Sequence, residues 1–275
     1  MIAAGDGFAL HRRLAGPVDF RKAAIERIRV YHGSTDHVAE GFGTYSSRST
    51  VMGGSAVVAA AGKLREAIRA AAARRLGCDV KEIEVAEGTA RAPGGKSVPL
   101  GELADGGISA DGTYASPHRT YSYGAHAAHV AVDPRTGDVE VIDYVAVEDV
   151  GRIINPAMLH GQAVGAIVQG LGGTFLEHLV YDEQAQLLTG SLADYLMPTA
   201  SDFPVVRAVA LEEKPAPHNP LGAKGAGEGG IIPVGGVIAN AVAAALRPLG
   251  VEPRELPLSP ARVWEMIAAR GAGSP

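Results

Sequence analysis

The chain has 275 residues, 47% apolar and 20% charged, enough to bury a core for one large domain or two modest ones. Its net charge is −5 and no basic block occurs, which argues against nucleic acid as a partner. The single cysteine, Cys78, rules out a disulfide framework and a cysteine-ligated iron–sulfur cluster within the chain, and no apolar run reaches the ~18 residues of a membrane span. Residues 1–24 mix charge and glycine without a period. The first ten are too short and too polar for a secretory signal, so a cytoplasmic protein is the default reading. Residues 27–30 alternate as a short strand would. A polar turn follows, His32-Gly-Ser-Thr-Asp36, and then a stretch rich in glycine and hydroxyls from Gly41 to Thr50.

Val57, Leu64, Ile68 and Ala72 sit at helical spacing and predict an amphipathic helix over 55–76. The hydroxyl run lies just ahead of it, where unpaired N–H groups and the helix dipole favour an anion. Ordinary capping needs one hydroxyl. Here Thr44, Ser46, Ser47, Ser49 and Thr50 cluster around Arg48, so a phosphate cradle is expected. Residues 81–87 read as a short strand and 88–123 as a loop-rich stretch with glycine and proline. Residues 125–132 and 138–147 read as a hairpin around Pro134-Arg-Thr-Gly137. Asn155 is a natural N-cap and Pro156 a natural first helical residue. Val164, Ile167, Val168, Leu171, Phe175 and Leu179 then form an apolar stripe. Five glycines between 161 and 173 weaken that helix by propensity, which makes sense if something packs tightly on it. Residues 181–188 turn back, 205–213 form a strand, 235–246 an alanine-rich helix, and Ser259-Pro260 caps a last helix over 261–269. No internal repeat or clear linker is visible.

The chemistry concentrates in Asn219-Pro-Leu-Gly-Ala-Lys-Gly-Ala-Gly-Glu-Gly-Gly230. Glu228 stands alone among small residues, with Lys224 four positions earlier. Glycine allows backbone to approach a bulky ligand, and a lone acid there suits a general base beside a cofactor. For an arbitrary Gly-Glu-Gly, a solvated loop is the commoner outcome. The run formally matches the dinucleotide fingerprint, but a proline-rich loop precedes it where a strand is required. It is not a P-loop, since no Ser or Thr follows the lysine. His118, His126 and His129 lack a complementary ligand set and read as packing or surface residues. Gln162 and Gln169 are polar side chains in an apolar stretch. Each is able to donate and accept, which suits the edge of a heterocycle.

Three motifs together resemble the molybdopterin-binding large subunit of the xanthine oxidase family of molybdenum hydroxylases, including its aldehyde oxidase and carbon monoxide dehydrogenase branches. They are His32-Gly-Ser-Thr-Asp36 with Gly43-Thr-Tyr-Ser-Ser-Arg-Ser-Thr50 and Gly53-Gly-Ser-Ala56; Asp149-Val-Gly-Arg-Ile-Ile-Asn-Pro156 with Gly161-Gln162 and Gln169-Gly170; and Asn219 to Glu228. The resemblance covers residues from about 26 to 267, the C-terminal part of that subunit. It implies an α+β fold with mixed sheets and packed helices. It sets an atypical segment at 1–25 beside a cofactor-binding domain at 26–270.

The resemblance also implies roles. Thr44, Ser46, Ser47, Arg48 and Ser49 would cradle the phosphate part of the cofactor, Gln162 would meet the pterin, and Lys224 and Gly227 would touch the cofactor. Glu228 matches the glutamate that takes up a proton while an electron-poor carbon is oxidised. The cofactor would be molybdenum–molybdopterin in its cytosine dinucleotide form, and the substrate a small aldehyde, N-heterocycle or similar molecule. Iron–sulfur clusters and FAD would sit on partner subunits, as one cysteine here suggests. The family's large subunit is much longer, and its N-terminal half carries the substrate pocket. Residues 1–24 do not resemble the segment expected before the match, which suggests a split or truncated gene. Two expectations follow: a subunit active only with a separate N-terminal half, or a non-catalytic cofactor-binding remnant.

Overall fold

The first long apolar stripe forms a 28-residue helix, α1 (Ser49–Leu76), in the computed structural model. The structure describes residues 2–4, 8–10, 30, 31, 34, 36, 43–103 and 107–271. Of the expected strand over 27–30, only Val30 is described, and it is not in a strand; most of the polar turn at 32–36 also lies outside the described residues. Helix α1 begins six residues before the expected start at Ser55, so Ser49 and Thr50 belong to its first turn. Its buried stripe is Gly53, Ala56, Ala60, Leu64, Ile68 and Ala72, whereas Val57 is only half-buried. The small residues early in that stripe let backbone come close. A Cβ on Gly112 would lie 2.2 Å from the Ala60 nitrogen and 2.5 Å from the Ala56 oxygen. Helix α1 ends at Gly77, a left-handed residue with φ +69°.

The chain divides into two compact units, residues 1–119 with 217–221, and residues 120–216 with 222–275. In unit 1, β1 (Ile2–Ala4) and β2 (Phe8–Leu10) pair antiparallel. After α1, Asp79 and Glu82 form a capping box on a short 3₁₀ turn. Strands β3 (Glu84–Ala86), β4 (Thr89–Arg91) and β5 (Ser97–Pro99) then make an antiparallel meander, followed by the one-turn helix α2 (Leu100–Leu103). Within the stretch expected to be loop-rich, 88–123, the strands β4 and β5 and the helix α2 are short interruptions. These strands have three residues each, too few to show alternation. Their core joins Ile83, Ala90, Val98 and Leu100 to Leu64, Ile68 and Ala72 of α1.

Unit 2 is built on a mixed sheet. Strands β6 (Tyr123–Val132) and β7 (Val139–Asp149) form the predicted hairpin, and β8 (Arg207–Leu211) adds to β7 in parallel. The turn is locally specified: Asp133 N–H donates to Asp138 O and Gly137 N–H to Asp133 O. Helix α3 (Pro156–Phe175) starts as expected, with Asn155 Oδ1 accepting from Met158 N–H. The stripe ends with the helix at Phe175; Leu179 lies beyond it and is exposed. Helices α4 (Val234–Ala245) and α5 (Pro260–Gly271) complete the unit. Ile167, Leu171 and Phe175 of α3 pack with Val234, Ile238 and Val242 of α4, Val263 of α5, and Val141, Tyr144 and Ala146 of β7. The α+β class with mixed sheet and packed helices is thus observed. Among the described residues, no helix is long and apolar enough to cross a membrane.

Gly137 shows how tightly α5 seats on the hairpin. Its φ is +76°, and a Cβ would fall 2.0 Å from Pro260 O and 2.6 Å from Trp264 N. Gly137→Ala is expected to cost about 2 kcal/mol or more, since it adds left-handed strain to a backbone clash. Urea unfolding reads this directly, and a loss below ~0.5 kcal/mol, the range of ordinary surface changes, would mean that α5 does not pack on the turn.

Candidate cofactor site and the carboxylate loop

In unit 1, the hydroxyl cluster forms a tight turn into α1. Ser46 and Ser47 both have φ +52°, a left-handed conformation uncommon for non-glycine residues. Arg48 is the N-cap, and its side chain makes no capping hydrogen bond. The guanidinium of Arg48 lies 5.3 Å from the centroid of the Tyr45 ring. Thr44 and Ser46 are exposed, and Ser47, Arg48 and Ser49 are half-buried. Nearly two turns into α1, Ser55 Oγ is buried without a hydrogen-bond partner among the described residues. A two-residue left-handed turn leading into a helix N-terminus suits an anion.

In unit 2, the carboxylate loop is pinned on several sides. Gln162 Nε2 donates to Gly227 O at 3.1 Å, so two of the expected site residues meet. A Cβ on Gly230 would lie 2.7 Å from Ala163 O and 2.9 Å from Ala166 Cβ, which presses the loop onto α3. A Cβ on Gly229 would lie 2.5 Å from Glu148 Oε2. Glu228, between these contacts, is exposed. The glycines of α3 divide by role. Gly170 lies against Val234 and Gly172 against Pro198 and Glu177, whereas Gly161 and Gly165 have nothing within 4 Å of a Cβ among the described residues. Together with the exposed Gln162, these two leave a bare stretch of helix that a bulky planar group is able to approach.

Lys224 is buried and committed to Asp149, its Nζ donating to Asp149 Oδ1 at 2.8 Å and lying 4.3 Å from the centroid of the Tyr123 ring. Asp149 also accepts from Gly151 N–H at Oδ1 and from Lys214 N–H at Oδ2. Burial pushes its proton affinity up. The hydrogen bonds from Lys224 and from the Gly151 and Lys214 amides, with the lysine charge, outweigh this and hold the carboxyl below the usual range. Around the pair, Lys224 N–H donates to Val150 O and Arg152 N–H to Gly222 O, so the start of the carboxylate loop is stitched to the end of β7.

Sequence reasoning missed a second polar group. His126 Nδ1 bonds the Tyr144 hydroxyl at 2.9 Å, and His126 Nε2 bonds Glu148 Oε1 at 3.0 Å. His126 is thus a packed histidine with both ring nitrogens bonded, and its partner is the carboxylate that abuts Gly229. Glu148 also lines a cavity of about 160 Å³ with His160 and apolar residues of α3, β7 and β8. His118 stacks on His218 in unit 1, with ring centroids 4.2 Å apart.

The family model described as molybdopterin cofactor-binding domain matches residues 18–204, and the chain belongs to that family. It is 35% identical over 255 residues to the 6-hydroxypseudooxynicotine dehydrogenase complex subunit gamma of Paenarthrobacter nicotinovorans, covering 88% of this chain and 32% of that protein. It is similar to reconstituted CO dehydrogenase from Oligotropha carboxidovorans, with TM-score 0.78, 29% identity, and coverage of 90% of this chain and 32% of that one. The corresponding values for quinoline 2-oxidoreductase from Pseudomonas putida 86 are 0.73, 35%, 83% and 31%. The chain therefore spans about a third of the length of the relatives it matches.

Proposed function

We propose that the chain holds molybdenum–molybdopterin in a multisubunit hydroxylase that oxidises a small aldehyde or N-heterocycle, with Glu228 as general base. The observation that carries this reading is an exposed carboxylate on a loop fixed by Gln162, by the glycine contacts to α3 and by Glu148. Two observations, one in each unit, support this reading: the turn at 44–49 offers donors that would suit its phosphates, and Gly161 and Gly165, with nothing within 4 Å of a Cβ among the described residues, would leave room for a large group. When bound, the cofactor supplies the two-electron oxidation that no side chain performs alone. Thr44, Ser46, Ser47, Arg48 and Ser49 bind its phosphate end, in the cytosine dinucleotide form. Gln162 and Gly227 orient it, and Lys224 acts by holding the loop through Asp149. Glu228 takes up the proton at a carboxylate oxygen. A separate N-terminal molybdopterin-binding half completes the substrate pocket. Iron–sulfur and flavin subunits carry the electrons away, all in the cytoplasm.

The test of this reading is Arg48→Ala combined with Ser47→Gly in the assembled enzyme, glycine being chosen because Ser47 has φ +52°. Cofactor retention should weaken about tenfold or more, the equivalent of one lost hydrogen bond to a charged group. Molybdenum content per chain after dialysis is the readout. Unchanged content would mean that the turn serves only the fold.

A further inference from the structure

The geometry points to Glu148 as the positioning residue of the Glu228 loop, set under Gly229 by a buried Tyr144–His126–Glu148 chain; its catalytic significance rests on Glu228 being the base. The sheet makes the arrangement. In the hairpin, His126 pairs with Ala146, so Tyr144 and Glu148 flank it two residues to either side on the same face. A bulge makes this possible. The register steps from His129↔Asp143 to Val130↔Val141, leaving Ile142 as the extra residue. Before it Val141 faces inward; after it Tyr144, Ala146 and Glu148 do.

Hydrogen-bond accounting sets the direction of the chain. Tyr144 is fully buried, and burial, followed by the charge of Glu148, pushes its phenol well above the ordinary value. The phenol therefore keeps its hydrogen. Among the described residues, its hydrogen-bond partner is His126 Nδ1. That nitrogen accepts, so Nε2 carries the imidazole hydrogen and donates to Glu148 Oε1. Space accounting completes the case. A Cβ on Gly124 would fall 2.8 Å from Glu148 Cγ, and one on Gly229 2.5 Å from Glu148 Oε2. The side chain lies in a slot walled by glycine on both sides, with one oxygen held by His126 and the other against the residue that follows Glu228. A carboxylate 92% buried as a residue (8% exposed) is costly to keep, and an apolar side chain would fill the slot more cheaply. What the carboxylate adds is a fixed orientation, transmitted to the Glu228–Gly229 peptide.

Hydrogen exchange of the full chain tests this without cofactor or turnover. Glu148→Ala removes the group packed under Gly229 together with the His126 bond that aims it, and should speed amide exchange across 225–232 by about tenfold or more, while α5 and β3–β5 stay within about twofold. Glu148→Gln keeps an oxygen for the His126 Nε2–H and should restore most of the protection. Gly229→Ala pushes on the same carboxylate from the loop side and should raise exchange over the same span, which keeps the test informative if Glu148→Ala does not fold. ¹⁵N spectra should show His126 as the Nε2–H tautomer in the native chain, with that preference lost in Tyr144→Phe. An Nδ1–H or doubly protonated ring in the native chain would overturn the inference. So would unchanged exchange at 225–232 in Glu148→Ala or Gly229→Ala, or equal loosening throughout unit 2. A failed turnover test of Glu228 would leave these results standing, so the two readings fail separately.

Discussion

Asp149→Asn is expected to destabilise unit 2 by about 3–5 kcal/mol, the cost of leaving one partner of a buried ion pair uncompensated. Lys224 and Asp149 are 8% and 3% exposed, so neither charge is able to retreat into water. The change also weakens a hub, because Asp149 receives Gly151 N–H, Lys214 N–H and the Lys224 ammonium, fastening three separate stretches of chain. Lys224→Met should cost a similar amount, and the double variant less than the sum, since it leaves no orphaned charge. The pH dependence follows from the depressed proton affinity of Asp149. A carboxyl depressed in the folded state contributes stability that is fully present above its unfolded value near ~3.9 and is lost as pH falls through the lower, folded value. The native chain should therefore lose stability in acid more steeply below about pH 4 than Asp149→Asn. Urea titrations at neutral and acid pH measure both effects. Parallel acid slopes, or a loss under ~1 kcal/mol as for an exposed pair, would show that the pair does not hold the loop.

Where structure is set by a few adjacent residues, the sequence was readable. Asn155-Pro156 announced the start of α3 within one residue, and Asp133 to Asp138 announced the hairpin turn. The chemical run was readable for the same reason: a carboxylate among glycines, with a glutamine on a glycine-rich helix, stands out by composition, and Gln162 does meet Gly227. Tertiary contacts hid the rest. The helix expected from Ser55 left out Gly53 and Gly54, yet Gly53 is buried on the packed stripe and the helix runs through both. The meander β3–β5 has strands of three residues, below the length at which period 2 is visible. The polar chain through His126 escaped because the bulge at Ile142 changes which β7 side chains face inward. Strict alternation from Val139 places Tyr144 and Glu148 on the opposite face.

Glu228→Gln in the assembled, molybdenum-loaded enzyme tests the central claim most directly. Glutamine keeps the size and hydrogen-bonding shape of the side chain and removes its basicity. Glu228 is exposed on a loop that Gln162, the α3 backbone and Glu148 also hold, and glutamine keeps its hydrogen-bonding shape, so folding and metal content should be retained. Turnover per molybdenum is expected to fall by about 10²-fold or more, the factor typical of a lost general base. Near-native turnover at full molybdenum content would contradict the account and leave the loop as a cofactor contact without a base.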